Sequence, residues 1–349
     1  MDHKQAMFRP KRTATYEIVL KRPKRSKDRG QFTNSKFALV FVAIFAFSLV
    51  ASVTKLGQAQ SIQEMRERIN QGVVGIMCGR TTASFIYFCE DMAFLINDDI
   101  GYSLRAIPMV GSGALRNVED LIYLRGVDLT ITLADTLDYM QKQGIHPNIK
   151  EKVRYVTRLW DLELHILADE NIKSIYDLQG KKVNFSVIGS GTFLTMTNLF
   201  EKLGIQVDVQ SDNKSAALQR LKKGEIAAMA STSAVPWKFA AQFGPGDGLH
   251  LLDVPPEALP DGYETATWSS DVYPNLIEAG TTVRTLRNPA VLLAYNWPEH
   301  HPRCGKVQRF MTALRQEFPN LLEEPHQPKW KEVNLDAEVK NLVRWDKSC

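Results

Sequence analysis

Lys182-Val-Asn-Phe-Ser-Val-Ile-Gly-Ser-Gly-Thr192 leads into an apolar-periodic run that ends at Leu203, just before Gly204. Lys182–Phe185 reads as a short strand. Thr192–Leu203 reads as a helix, and Gly204 supplies the left-handed residue that closes it. The order is therefore strand, glycine-rich turn, helix N-terminus. Unpaired N–H groups and the positive dipole end collect at such a terminus, so it attracts an anion. Gly189 and Gly191 let backbone come close to a ligand, and Ser190 and Thr192 add hydroxyl donors. No Lys-Ser or Lys-Thr follows at P-loop spacing, and the third glycine of a dinucleotide fingerprint is missing. The plainer alternative is a tight turn in which Thr192 caps a helix.

The same unit recurs on the N-terminal side. Gly79-Arg-Thr-Thr-Ala-Ser84 lies between a strand at Val73–Met77 and a helix at Ala83–Ile96. Val110-Gly-Ser-Gly-Ala114 lies between a strand at Tyr102–Val110 and a helix at Asn117–Leu124. Further strands are expected at Val127–Leu133, Val153–Leu167, Val207–Val209, Ile226–Met229 and His250–Val254, with a helix at Ser215–Lys223. Thr281–Thr285 and Val291–Tyr295 read as strands or the start of a helix, and Val307–Phe318 as an amphipathic helix. Strands alternating with helices imply an α/β fold with mostly parallel sheets. All three turns fall at C-terminal strand ends, where open α/β sheets bind ligands. Arg80, Thr81, Thr82 and Ser84 from the first turn, Ser112 from the second, and Gly189, Ser190, Gly191 and Thr192 from the third are candidate ligand contacts. Arg80 is the candidate counter-ion. Trp237 and Tyr263 are read as cleft-lining or as core, with equal weight.

Charge is unevenly spread. Residues 1–36 hold eleven Lys or Arg against three acids, leaving 32 basic and 36 acidic residues in the rest of the 349-residue chain. The bulk is slightly acidic, which argues against nucleic acid as a partner. Phe37–Val53 is an uncharged apolar run, at the short end of the range for a membrane span. The basic flank would stay in the cytoplasm, so the chain beyond Lys55 is expected outside it. Gly57 and Ala59 would suit a signal peptidase, so an uncleaved anchor and a cleaved signal both remain open. The expected organisation is a basic tail at 1–36, a membrane segment at 37–53, and a linker at 54–70. One lobe is expected from 71–165 plus 268–349, and the other from 166–267.

The residues now quoted resemble the TAXI-type solute-binding subunits of tripartite ATP-independent periplasmic (TRAP) transporters, from about Gly72 to about Asn334. Leu164-His-Ile-Leu-Ala-Asp-Glu-Asn-Ile-Lys-Ser-Ile-Tyr-Asp-Leu-Gln-Gly-Lys-Lys-Val183, running on to the Gly189–Thr192 turn, carries most of the likeness. Ser112 with Asn117 resembles a second family turn, Asp135 closes a strand as the family's aspartate does, and Trp330 matches a C-terminal tryptophan segment. The resemblance implies a two-lobed periplasmic-binding-protein type II fold, preceded here by the membrane or signal helix. It implies a small organic acid held between the lobes, with Asn117 and Asp135 among its contacts, and delivery to membrane TRAP subunits from the periplasm. Leu133 stands where the family has Gln, Ala227 where it has Asp, and Thr81–Ser84 where it is richer in Gly. Leu133 suggests a less polar end to the ligand.

Catalytic readings are poor. Ser190 lacks the flanking pattern of a nucleophile elbow. The histidines, including His250, His300, His301 and His326, show no metal-ligand spacing. One or both of Asp161 and Glu163 read as solvent-facing rather than as an acid–base pair. No cofactor or metal is expected, and the function is read as binding without chemistry. A membrane-tethered sensory domain and an exported enzyme on the same fold are the alternatives. Cys78, Cys89, Cys304 and Cys349 form no CxxC. Export would allow Cys304 and Cys349 to pair, but all four are read as free and partly buried.

Overall fold

Apolar strands that lead into amphipathic helices fold back on themselves here in two similar passes. The computed structural model describes residues 62–67, 70–81, 84–98, 103–244 and 246–349. The basic tail, the apolar run 37–53, most of the 54–70 linker and Thr82 lie outside the described residues. Among the described residues no helix is long and apolar enough to cross a membrane.

The first pass comprises β1 (Val73–Gly79), α1 (Phe85–Asp98), β2 (Arg105–Val110), α2 (Ala114–Tyr123), β3 (Leu129–Leu133), α3 (Asp135–Lys142) and α4 (Ile149–Lys152). The long strand β4 (Val153–Asp169) then leads into the second pass. This comprises β5 (Lys182–Asn184), α5 (Gly191–Leu203), β6 (Asp208–Gln210), α6 (Lys214–Lys222), β7 (Ala228–Ser233), β8 (Leu249–Leu251) and β9 (Glu264–Ser269). The long strand β10 (Thr282–Tyr295) returns the chain to α7 (Pro302–Leu321) and a C-terminal segment. Residues 65–349 are one compact unit.

The sheet order is β2-β1-β3-β10-β4-β7-β5-β6, with β8 added on β4 and β9 on β10. Its two ends repeat one plan. β1 pairs parallel with β2 and β3, and antiparallel β10 lies beside β3. Likewise β5 pairs parallel with β6 and β7, and antiparallel β4 lies beside β7. Each lobe is thus completed by a long strand that crosses from the other, which gives the two-lobed periplasmic-binding-protein architecture. The core divides the same way. On β4, Leu162 packs in the first lobe's core and Leu164 in the second's; on β10 the change falls between Leu286 and Ala290.

The structure moves the return crossing. The sequence reading puts it at residue 268, yet Trp268, Tyr273, Leu276, Ile277 and Val283 pack in the second lobe's core. The crossing falls instead near Asn288-Pro289, inside one continuous strand. Proline lacks the N–H of a regular ladder, and the β10–β4 register shifts between Pro289 and Val291, the kind of irregularity that admits it. The two segments expected at Thr281–Thr285 and Val291–Tyr295 are parts of this one strand. Helix α3 also goes unread in the sequence, although Asp135 and Asp138 in its first turn suit the positive end of the helix dipole.

The cysteines are a second correction. Cys78 pairs with Cys89 and Cys304 with Cys349, at Cα separations of 6.2 and 5.7 Å, inside the usual disulfide range. No cysteine among the described residues is free. Packing of α1 on the end of β1, and return of the C-terminus to the first turn of α7, bring together residues whose linear spacing shows no pattern.

Candidate functional site

The C-terminal ends of β1, β2 and β3 in the first lobe face those of β5 and β7 in the second. Glycine at the seam lets the lobes touch. The N–H of Leu115, in the first turn of α2, donates to the Gly189 carbonyl of the other lobe at 3.1 Å. Helix α2 has no side-chain cap, so this carbonyl satisfies one of its free N–H groups. A Cβ on Gly113, which sits at φ 144°, would lie 2.9 Å from that same carbonyl oxygen. A Cβ on Gly191 would lie 2.6 Å from Leu133 Cδ1. Leu133 thus packs directly on the start of α5.

The candidate contacts separate into groups. Arg80 is exposed and donates through Nε to the Ser112 carbonyl at 2.8 Å, joining the turns after β1 and β2. Thr81 is exposed and Ser84 half-buried nearby. On the facing lobe, Ser190 Oγ accepts from the Phe193 N–H at 3.2 Å and caps α5. Thr192 Oγ1 accepts from the Thr232 N–H and shares a hydrogen bond with the Thr232 hydroxyl, both at 3.0 Å. Both hydroxyls are therefore engaged within their own lobe while the lobes touch.

Two candidates are buried within one lobe. Asn117 is 1% exposed and donates through Nδ2 to the carbonyls of Cys78 and Ile131 at 3.0 and 3.1 Å. It ties the ends of β1 and β3 together and has no donor left for a ligand. Trp237 is buried in the second lobe's core, 5.1 Å from the His165 ring, with its backbone N–H on Tyr273. Burial lowers the pKa of His165 to about 3, so its ring stays uncharged in the physiological range.

Asp135 lies at the meeting of the lobes. Its Oδ2 accepts from the Tyr263 hydroxyl at 2.6 Å and the Thr195 hydroxyl at 2.7 Å, both from the second lobe. Asn198 Nδ2 donates to the Tyr263 oxygen at 3.1 Å, and Asn288 Nδ2 to Thr195 Oγ1 at 3.2 Å. Every donor in the cluster thus leads toward one carboxylate oxygen. Tyr263 is legible in the sequence as a cleft candidate. Thr195 and Asn198 are not, although polar residues three apart among Leu194, Met196, Leu199 and Phe200 are a usable signal of a buried polar patch.

A cavity of about 410 Å³ opens between α3 and α5, lined by Asp135, Lys142, Asn198, Glu201 and Tyr263 among others. A second, of about 200 Å³, reaches along the crossing strands past Arg158, Arg287 and Asn288 and shares Asp135 and Tyr263. Of the expected contacts among the described residues, Asp135 lines both spaces, as does the cleft candidate Tyr263. Among the described residues no group of three or more His, Cys, Asp or Glu is placed to hold a metal ion.

Burial raises the Asp135 pKa, against the lowering effect of the Tyr263, Thr195 and Asn288 hydrogen bonds. In the unfolded chain the acid ionises at its ordinary value, and in the folded chain only at higher pH. Asp135 therefore costs no stability below the ordinary carboxylate pKa. Its cost grows as pH rises from there and levels off once the folded group ionises. Asp135→Asn is expected to remove this part of the slope, so its stability gain over wild type should be larger at pH 8 than at pH 4. Urea denaturation of both proteins across that range measures it; equal slopes would show that burial does not govern this carboxylate.

The profile of the NMT1-like family matches residues 80–294, from the turn after β1 into the last part of β10. The chain belongs to the NMT1-like family. The match takes in both crossing strands, the whole second lobe and the seam residues of both lobes. Among solved structures, the NMT1-like chain is similar to a periplasmic sulfonate-binding protein of an ABC transporter from Methylobacillus flagellatus KT. That pair shares 14% identity with a TM-score of 0.46, covering 74% of this chain and 72% of the other. It is also similar to an ancestral arginine-binding protein bound to arginine, at 16% identity, TM-score 0.44, and 71% and 93% coverage. A third likeness is to the GluR0 ligand-binding core of Nostoc punctiforme in complex with L-glutamate, at 15%, 0.42, and 70% and 93%. None of these likenesses bears on which solute the NMT1-like chain takes.

Proposed function

We propose that this protein is an extracytoplasmic solute receptor that closes two lobes on a small organic acid and hands it, unaltered, to TRAP-type membrane subunits. The observation that carries the reading is the seam. Two lobes of one repeated plan, joined by β4 and β10, meet along glycine-rich turns at the C-terminal ends of their parallel strands. Contacts this direct and this few suit a clamshell that opens and closes. The ligand's carboxylate would lie along the seam, where the N-termini of α2 and α5 face each other, with Arg80 as counter-ion and Ser112, Ser190 and Thr192 as hydrogen-bond partners. Leu133 would face its less polar end. Two disulfides suit an oxidising compartment and so support a periplasmic location.

The test is a thermal-shift and calorimetric screen of amino acids, dicarboxylates and keto acids. At least one carboxylate should raise the melting temperature and be recovered unchanged. Gly113→Ala should weaken that ligand at least tenfold. Its Cβ meets the Gly189 carbonyl only when the lobes touch, although φ 144° adds some strain in either state. Arg80→Ala should also weaken it, by removing a charged partner. Stabilisation only by neutral or cationic compounds, or chemical turnover of the ligand, would overturn the reading.

A further inference from the structure

The cavity between α3 and α5 holds a second kind of chemistry. Asp135 is 6% exposed and Asn198 4% exposed, and both line this space. Each keeps one buried oxygen without a partner, Asp135 Oδ1 and Asn198 Oδ1. The hydrogen-bond chain fixes which atoms these are. Asn198 spends its amide nitrogen on the Tyr263 oxygen, and the Tyr263 hydroxyl donates to Asp135 Oδ2, which also takes the Thr195 hydroxyl. The remaining oxygen of each is an acceptor with no donor supplied by the protein. Among the described residues Asp135 also has no cation paired to it, so a buried carboxylate is met only by neutral hydroxyls. An uncompensated charge in such a place is costly, and a cationic donor is its natural complement.

The other charged groups do not cancel this. Asp138 is paired with Lys150. Lys142 and Lys202 line the same cavity, but both are exposed and can turn to solvent, as can Glu201 and Asp261. The two unpartnered oxygens therefore lie covered at the buried side of this cavity, and the mixed charges stand around the opening. A volume of about 410 Å³ lies within the range of small-molecule sites.

We infer that the cavity between α3 and α5 is a binding site for a small organic ammonium ion, held by Asp135 Oδ1 and Asn198 Oδ1, and separate from the carboxylate seam. Both oxygens are screened from water while α3 and α5 touch, so the ion enters as the lobes part and is enclosed as they meet. Occupancy would then favour the closed arrangement without any contact to the organic acid.

Calorimetry and thermal shift with putrescine and ethanolamine, each against sodium chloride at equal ionic strength, test this on the intact protein. Both amines should stabilise the wild type, and Asp135→Asn should weaken each at least tenfold. Asn keeps an oxygen for the Tyr263 and Thr195 donors, so the variant is expected to fold. Asn198→Leu, which deletes the second acceptor, should also weaken both amines. The amines are titrated with no carboxylate present and the carboxylates with no amine, so failure of this site and failure of the receptor reading are read separately. The inference is overturned if neither amine stabilises the wild type, if sodium alone gives the same effect, or if Asp135→Asn binds the amines unchanged.

Discussion

Trp330→Ala is expected to lower the unfolding free energy by roughly 3–5 kcal/mol, the range for truncating a fully buried aromatic residue. Trp330 is 0% exposed and sits among Phe88, Trp160 and Phe318, with ring centroids 5.0, 6.4 and 6.3 Å away. Its Nε1 donates to Asp91 Oδ2 at 2.8 Å, and Asp91 also accepts from the Gln327 N–H at 2.9 Å. His326 lies 3.1 Å from the other carboxylate oxygen. One acid on α1 therefore anchors the C-terminal segment through several donors. Truncation would leave both a cavity and a carboxylate short of one donor. Trp330→Phe should cost less, because it loses the indole hydrogen bond but keeps most of the ring contact. Urea unfolding followed by circular dichroism measures both variants. A loss below about 1 kcal/mol for Trp330→Ala would mean that the segment does not need its tryptophan to dock.

Replacing Cys304 and Cys349 together by serine should cost about 4 kcal/mol on the chain-entropy account, for residues 45 apart in sequence. The pair Cys78–Cys89, only 11 residues apart, should be worth about 3 kcal/mol on the same account. The physical reason is that a longer closed loop removes more freedom from the unfolded chain. Cys304 is 0% exposed, so its serine adds a buried hydroxyl and pushes the loss upward. Wild-type protein kept reduced, which loses both bridges, should then melt below the double serine variant, which loses one, and both should melt below the oxidised protein. An unchanged melting temperature on reduction would show that these bridges do not form, and would remove their support for an oxidising compartment.

The strand–turn–helix order around Gly189, and its two N-terminal counterparts, were legible because each is local. A glycine-rich turn between an apolar strand and an amphipathic helix needs no distant partner to be recognised. That was enough for the α/β class, the second βα unit and the candidate turns. It could not show where a strand changes lobes. Leu286 and Ala290 look alike as apolar residues, and only packing puts them in different cores. Nor could it distinguish Asn117 as a tie between strand ends from Asn117 as a ligand contact, because both uses ask for a buried amide. Asp135 was legible as a position, from its place after β3. Its character was not: the donors that converge on it come from Thr195 and Tyr263, 60 and 128 residues away. Sequence by itself determined the local units and their order. Tertiary structure decided which polar groups found partners and which buried oxygens were left without one, because hydrogen bonds across a seam depend on two surfaces meeting.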